Sequence, residues 1–290
     1  MTPFYFCYMR IIRFLFALTS AFGIAQEYEL NETDAILDDL FASDSLDVLQ
    51  LFDDIKKQDY LYATVMYNDK TLFSGRDFGV EQYSFFPSVS YINANNFFVN
   101  ISSGYFSEVN PQWDFVTYST GYSIFIDNKK SLSITGIYSY STFSQDVADL
   151  NNQRLMASIS YRKKWFRNSF SGGYLFGGLR SSYLSNNSYI SIDLYKTNEM
   201  DISIQPRLGL FWGNQTVSEL VRIRPFQVAY VDTEYFQLLN TDISLPIEFN
   251  FGSWDVELEY TFSMPNPLPG EEKLENMGFF SITFGYLIGL

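Results

Sequence analysis

Histidine is absent from the 290 residues, and cysteine occurs once, at Cys7. The first absence removes the commonest general base, the commonest metal ligand and the only side chain that titrates near neutrality without help. Cys7 lies in a segment expected to be removed on export, so a thiol nucleophile, a disulfide and a zinc site are all unexpected in the mature chain. Charge is scarce at 18% and lopsided, with Lys+Arg 19 against Asp+Glu 33 and a net charge of −14. Nothing in that balance would neutralise a run of phosphates, so no nucleic-acid partner is expected. Beyond the N-terminus there is no run of about 18 apolar residues, so no membrane-spanning helix is expected in the body. What the chain does have is rings: 22 Tyr, 29 Phe and an aromatic content of 19%. Apolar mass carried on rings favours strands over helices.

Residues 1–25 read as an export signal. Arg10 and Arg13 give a positive start, Leu15 to Ile24 a short apolar core, and Gly23-Ile24-Ala25 a small-residue cleavage site before Gln26. Residues 26–58 form an acidic leader, with apolar residues at Ile36, Leu37, Leu40 and Phe41 and again at Leu46, Leu49, Phe52 and Ile55. Spacings of three and four predict short amphipathic helices, either a solvated leader at a mouth of the fold or a plug or docking element for an envelope partner. The acidic run lacks the central Gly and the spacing of a calcium loop, so no metal is expected there, and no cofactor anywhere.

From Tyr60 onward the period becomes two. Ile202, Ile204, Leu208, Leu210 and Trp212 oppose Asp201, Ser203, Gln205, Arg207 and Gly209, and Val256, Leu258, Tyr260 and Phe262 oppose Asp255, Glu257, Glu259 and Thr261. Alternation alone also fits a soluble β-sandwich. Three features favour a membrane barrel: strands of about 10–14 residues, a polar face of Ser, Thr, Gly and Asn, and connections that alternate between short turns and longer links. The pattern predicts twelve strands, near 59–68, 82–93, 97–107, 113–126, 131–143, 153–163, 169–181, 188–196, 201–213, 240–250, 254–264 and 277–290. A further strand pair within 214–239 would make fourteen. The expected fold is therefore all-β: a closed, antiparallel, up-and-down transmembrane barrel over 59–290, because an open edge in lipid strands unpaired backbone groups.

The ending FFSITFGYLIGL resembles the C-terminal strand by which outer-membrane barrels are recognised for insertion, with Leu290 in place of the usual terminal Phe or Trp. The aromatic-rich Ser/Asn strands, the Ala25/Gln26 junction and the SGRDFG run at Ser74–Gly79 resemble outer-membrane barrels common in Bacteroidota. That resemblance implies the outer membrane of a Gram-negative cell and contact with lipid and lipopolysaccharide; it implies no substrate.

Outer-membrane barrel enzymes resemble one another in relying on His with Ser or Asp, which this chain cannot supply, and no catalytic role is expected. Glu257 and Glu259 share one face of one strand, whereas a glycosidase sets its two acids on opposing walls, so the pair reads as a charged lumen wall. The lumen candidates are Arg154, Arg162, Asp193, Arg207, Glu248, Asp255, Glu257 and Glu259. They form either an internal salt-bridge lattice or a charged constriction. The outer-loop candidates are Arg76 and Asp77, which clamp a turn or meet lipopolysaccharide phosphate, and Arg222 and Arg224, set among aromatics in the longest link. The best functional expectation is a porin-like channel for modest polar solutes. The alternatives are a non-conducting accessory barrel of a larger envelope assembly and a secreted sandwich that binds a ligand.

Overall fold

A computed structural model describes residues 59–76, 81–144, 151–178, 180–197, 199–224, 227–269, 271 and 273–290, and of 216–232 the backbone alone. Residues 1–58, expected to be a signal peptide and an acidic leader, therefore lie outside the described residues. Fourteen strand segments follow in chain order: β1 Tyr60–Asn68, β2 Ser84–Ile92, β3 Phe97–Phe106, β4 Trp113–Phe125, β5 Leu132–Phe143, β6 Gln153–Lys163 and β7 Phe166–Phe176. Then come β8 Ser181–Ile190, β9 Ile192–Lys196, β10 Asp201–Ile204, β11 Arg207–Arg224, β12 Gln227–Phe251, β13 Trp254–Pro265 and β14 Met277–Gly289.

Every pairing is antiparallel, consecutive strands bond each other except β8 with β9 and β10 with β11, and β14 returns to β1 from Tyr60↔Gly289 to Asn68↔Ser281, which closes the sheet on itself. The closed barrel has twelve staves, because β8 with β9 make one and β10 with β11 another. Register runs unbroken across both gaps: Arg207 faces Tyr189 and Ile204 faces Ile192, while Arg207 faces Ser244 and Ile204 faces Ile247. The gaps fall where Pro206 and Pro246 stand in adjacent rungs of the ladder, Pro246 facing Gln205 and Pro206 facing Leu245, and supply no N–H to it. The backbone compensates with Gln205 N–H to Pro246 O at 3.0 Å and Ile190 N–H to Pro206 O at 3.2 Å.

The expected count of twelve holds, and two boundaries move. The eighth stave begins at Ser181, because Ser182–Asn187, expected to be a link, is strand, with Ser185 and Asn187 turned inward and Ser182 and Asn186 outward. The seventh begins at Phe166 after a two-residue turn at Lys164–Trp165. Residues 214–239 add no stave; they lengthen β11 and β12 into one hairpin that pairs from Asn214↔Phe236 to Arg224↔Gln227.

The faces exclude a soluble sandwich. Val89, Ile101, Ile134, Leu155, Ile159, Ile243, Leu258 and Phe284 are exposed on the outside, while Ser90, Ser102, Thr117, Ser139, Ser158, Ser171 and Ser263 are buried within. A water-soluble sheet pair would have the reverse, since apolar exposure of that extent is tolerated only against lipid. Rings gather at both ends of the apolar belt. Tyr83, Tyr105 and Trp113 cluster by the longer links, and Trp254 packs on Tyr286 at 4.6 Å by the short turns.

Inside, hydroxyls pair across neighbouring staves, as in Thr64–Ser88 at 2.8 Å, Ser119–Ser139 at 2.9 Å and Ser158–Ser169 at 3.0 Å. The lining is not uniformly small. Ile92, Phe98, Tyr183 and Leu175 turn inward and are 0–2% exposed, so parts of the bore are packed with apolar side chains. The short turns are held by specific geometry: Asn96 (φ 64°), Lys130 (φ 53°) and Gly252 (φ 63°) take left-handed conformations. At one of them the Asp127 carboxylate accepts from the Ser131 hydroxyl at 2.6 Å and the Leu132 amide at 2.8 Å.

Candidate functional site

Alternation places the charges. In β6, Arg154, Met156, Ser158, Ser160 and Arg162 turn inward. In β13, Asp255, Glu257, Glu259, Thr261 and Ser263 do so. Directly opposed residues on paired strands share a face. Glu248, opposite Glu257, and Asp242, opposite Ser263, therefore also line the lumen.

Arg207 is the hinge of the arrangement. Its guanidinium lies 3.5 Å from the Glu259 carboxylate and 3.9 Å from that of Glu257. Neutral donors also reach the acids: Ser203 to Glu248 at 3.2 Å, Tyr62 to Asp255 at 3.1 Å, Thr261 to Glu259 at 2.7 Å, and Asn240 to both Asp242 oxygens at 2.9 Å. Charged carboxylates with such donors remain tolerable inside a wall that leaves them partly exposed.

Arg154 is buried at the other end of β6, where it donates to Ser139 Oγ at 3.2 Å. Arg162 stands at the short-turn end of β6, opposite Arg167 of β7. The Arg167 guanidinium lies 5.1 Å from the Tyr189 ring, a cation–π contact. Asp193 pairs with inward-facing Ser203 but is exposed, so it belongs to the rim rather than to the wall. Sequence reasoning left Arg167 in a turn and left Asp242 among the polar face of its strand. Their signal was available in the parity of each strand, once β7 is started at Phe166.

The outer-loop candidates separate. Arg76 is tied across the outer mouth to the last link, with Nη2 3.3 Å from Glu271 and 3.0 Å from the Asn266 carbonyl. It closes a two-residue turn in which Phe73 and Arg76 exchange backbone hydrogen bonds of 3.0 and 2.9 Å around Ser74 (φ 49°) and Gly75 (φ 76°). A Cβ at Gly75 would stand 2.3 Å from Asn240 Oδ1, so the turn lies directly on the inner wall of β12 and β13. Phe73 packs with Phe86, Phe106 and Phe115. Asp77 lies outside the described residues, and Arg222 and Arg224 are described as β11 backbone only.

Among the described residues no group of three or more His, Cys, Asp or Glu side chains has the arrangement to hold a metal ion. No model of a known protein family matches the chain, and no curated protein matches it either. Solved structures share its outline. The KdgM porin is 10% identical with a TM-score of 0.46, covering 78% of this chain and 98% of its own. The NanC porin is 12% identical with a TM-score of 0.44, over 79% and 99%. An outer-membrane channel from Pseudomonas putida F1 is 8% identical with a TM-score of 0.48, over 81% and 97%. Such distances carry no residue of the lumen from one protein to another, and the barrel assignment rests on the strand pairing itself.

Proposed function

We propose that the chain is a small porin-like channel of a Gram-negative outer membrane, of the kind found in Bacteroidota, and that it passes modest polar solutes without catalysis. The observation that carries the reading is the lumen face: hydroxyls, amides and partly exposed ions line the inside of a closed cylinder whose outside is fit for lipid. Partly exposed charge inside a barrel holds water and selects solutes. The absence of His agrees with a role that needs no general base. Lipopolysaccharide is the expected neighbour at the outer rim, and the leader at 26–58 is the expected contact for any envelope partner.

The test is conductance of the purified barrel in planar bilayers, with and without residues 26–59. Discrete ohmic steps support the channel; silence in both forms overturns it. One observation favours a second reading, a non-conducting accessory barrel. The inward apolar cluster that includes Ile92, Phe98, Leu175, Tyr183 and Leu239 is almost wholly buried. Silence in bilayers together with stoichiometric co-purification of another envelope protein from native membranes would establish that reading instead.

A further inference from the structure

The signs of the lumen charges are sorted by position. Near the short-turn mouth the register gives one continuous row of inward positions, Arg162–Arg167–Tyr189–Arg207–Ser244–Thr261, running from β6 to β13. Its first part is cationic. Adjoining its far end, Glu248, Asp255, Glu257 and Glu259 form an anionic block on β12 and β13. Arg207 is the seam, because it reaches both Glu257 and Glu259. Arg162, Arg167, Glu248 and Glu257 are all partly exposed, so each side of the seam presents charge to the bore. Both patches lie on the inward face of one closed wall, with Arg167 on β7 and Glu248 on β12. Among the described residues, Asp114 at the long-link end of β4 is the one Asp, Glu, Lys or Arg in the remaining staves, β14 and β1–β5.

We propose that this mouth is a binding site for short zwitterionic peptides, whose carboxylate lies on the Arg162–Arg167 side and whose ammonium lies on the Glu248–Glu257 side. The inference deepens the channel reading and rests on it for its physiological traffic. Size follows from the geometry. Strands about 4.8 Å apart and tilted in a cylinder of this strand number give a backbone radius of roughly 12 Å. Arg167 and Glu257 are four staves apart. Once the side chains reach inward, their charges stand roughly 10 Å apart, the end-to-end span of about three extended residues. A free single amino acid is too short to touch both patches, and a singly charged solute meets attraction from one and repulsion from the other.

The experiment uses the full chain folded in detergent, with triglycine as the probe in isothermal titration. N-acetyl-triglycine and triglycine amide serve as singly charged controls. The variants are Arg162→Gln/Arg167→Gln and Glu248→Gln/Glu257→Gln, which leave Arg207 and Glu259 in place. Triglycine is expected to bind the wild type, both controls to bind more weakly, and each double variant to lose roughly fivefold or more in affinity. No binding by the wild type, controls that match triglycine, or folded variants with unchanged affinity overturn the proposal. If a variant does not fold, the controls on the wild type decide. In bilayers the two variants are expected to move the zero-current potential in opposite directions. A barrel that binds triglycine but carries no current refutes the channel and keeps the site; one that conducts but ignores triglycine does the reverse.

Discussion

The two sides of the lumen wall solve one problem by different chemistry. On β14 and β1–β5 the inward face is hydroxyls and rings: Ser119–Ser139 and Thr117–Ser141 bond at 2.9 Å, and Phe86, Phe106 and Phe115 pack with Phe73. On β6–β13 the same positions carry Arg154, Arg162, Arg167, Arg207, Asp242, Glu248, Asp255, Glu257 and Glu259. Outside, the two sides are alike, with Ile101 and Ile243 equally bare. Lipid constrains the outer face to one kind of surface. The inner face need only be satisfied, and either neutral hydroxyl pairs or ions with donors will do that.

The largest expected effect tests the likeness of the outer faces. Ile101→Arg and Ile243→Arg should each cost about 2–4 kcal/mol in urea unfolding from vesicles, the range for Arg at mid-membrane. A marked difference between them would break the claim that only the lumen distinguishes the two sides. Next comes packing. A Cβ at Gly121 would meet Phe98 Cζ at 2.4 Å and the Gly136 carbonyl at 2.9 Å, whereas one at Gly209 meets only Asn187 Oδ1 at 3.1 Å and Asp242 Cβ at 3.6 Å. Gly121→Ala should therefore cost roughly 1–3 kcal/mol, and Gly209→Ala should stay within about 0.5 kcal/mol of wild type. The temperature at which heat-modifiable mobility is lost ranks the two.

Third, Arg207→Gln leaves Glu257 and Glu259 beside each other without their cation. With these side chains 12–23% exposed, water screens part of the loss, and roughly 1 kcal/mol is expected. The urea midpoint measures it. The smallest effect lies outside the membrane. The Ser131 hydroxyl and then the Leu132 amide hold the Asp127 carboxyl below its ordinary value. Its folded pKa is thus lower than its unfolded one, so its contribution is present above the usual carboxylate range and lost as pH falls through the folded value. The stability difference between wild type and Asp127→Asn should be largest near neutrality and close toward about pH 3. A difference that persists in acid would remove the turn from the account.

The barrel was legible because a two-residue period survives any choice of side chain within each class. Where the class itself is ambiguous, legibility failed. Ser182–Asn187 reads as a link because Ser and Asn favour turns, yet in β8 Ser185 and Asn187 serve as lumen polar groups. Adjacent rings such as Phe85-Phe86 and Phe97-Phe98 put one member inside and one outside, so ring content could not reveal the packed interior. The bulge between Phe211 and Trp212 hid the continuation of β11 and β12. The lumen acids of β13 were legible from parity, whereas their pairing with Arg207 required the register between β11 and β12, which no local pattern encodes.

That long hairpin has a mechanical consequence. β8 accompanies β11 only as far as Gly213, and β13 accompanies β12 only from Asn240. Between those points the two strands have, among the described residues, no strand neighbour but each other, and a lone two-stranded ribbon is marginal in water. Damage there does not propagate to the cylinder: a protease working from outside can shave this antenna and leave every stave in place. Sequence drift in the antenna is then judged by whatever touches it, not by whether the barrel stands.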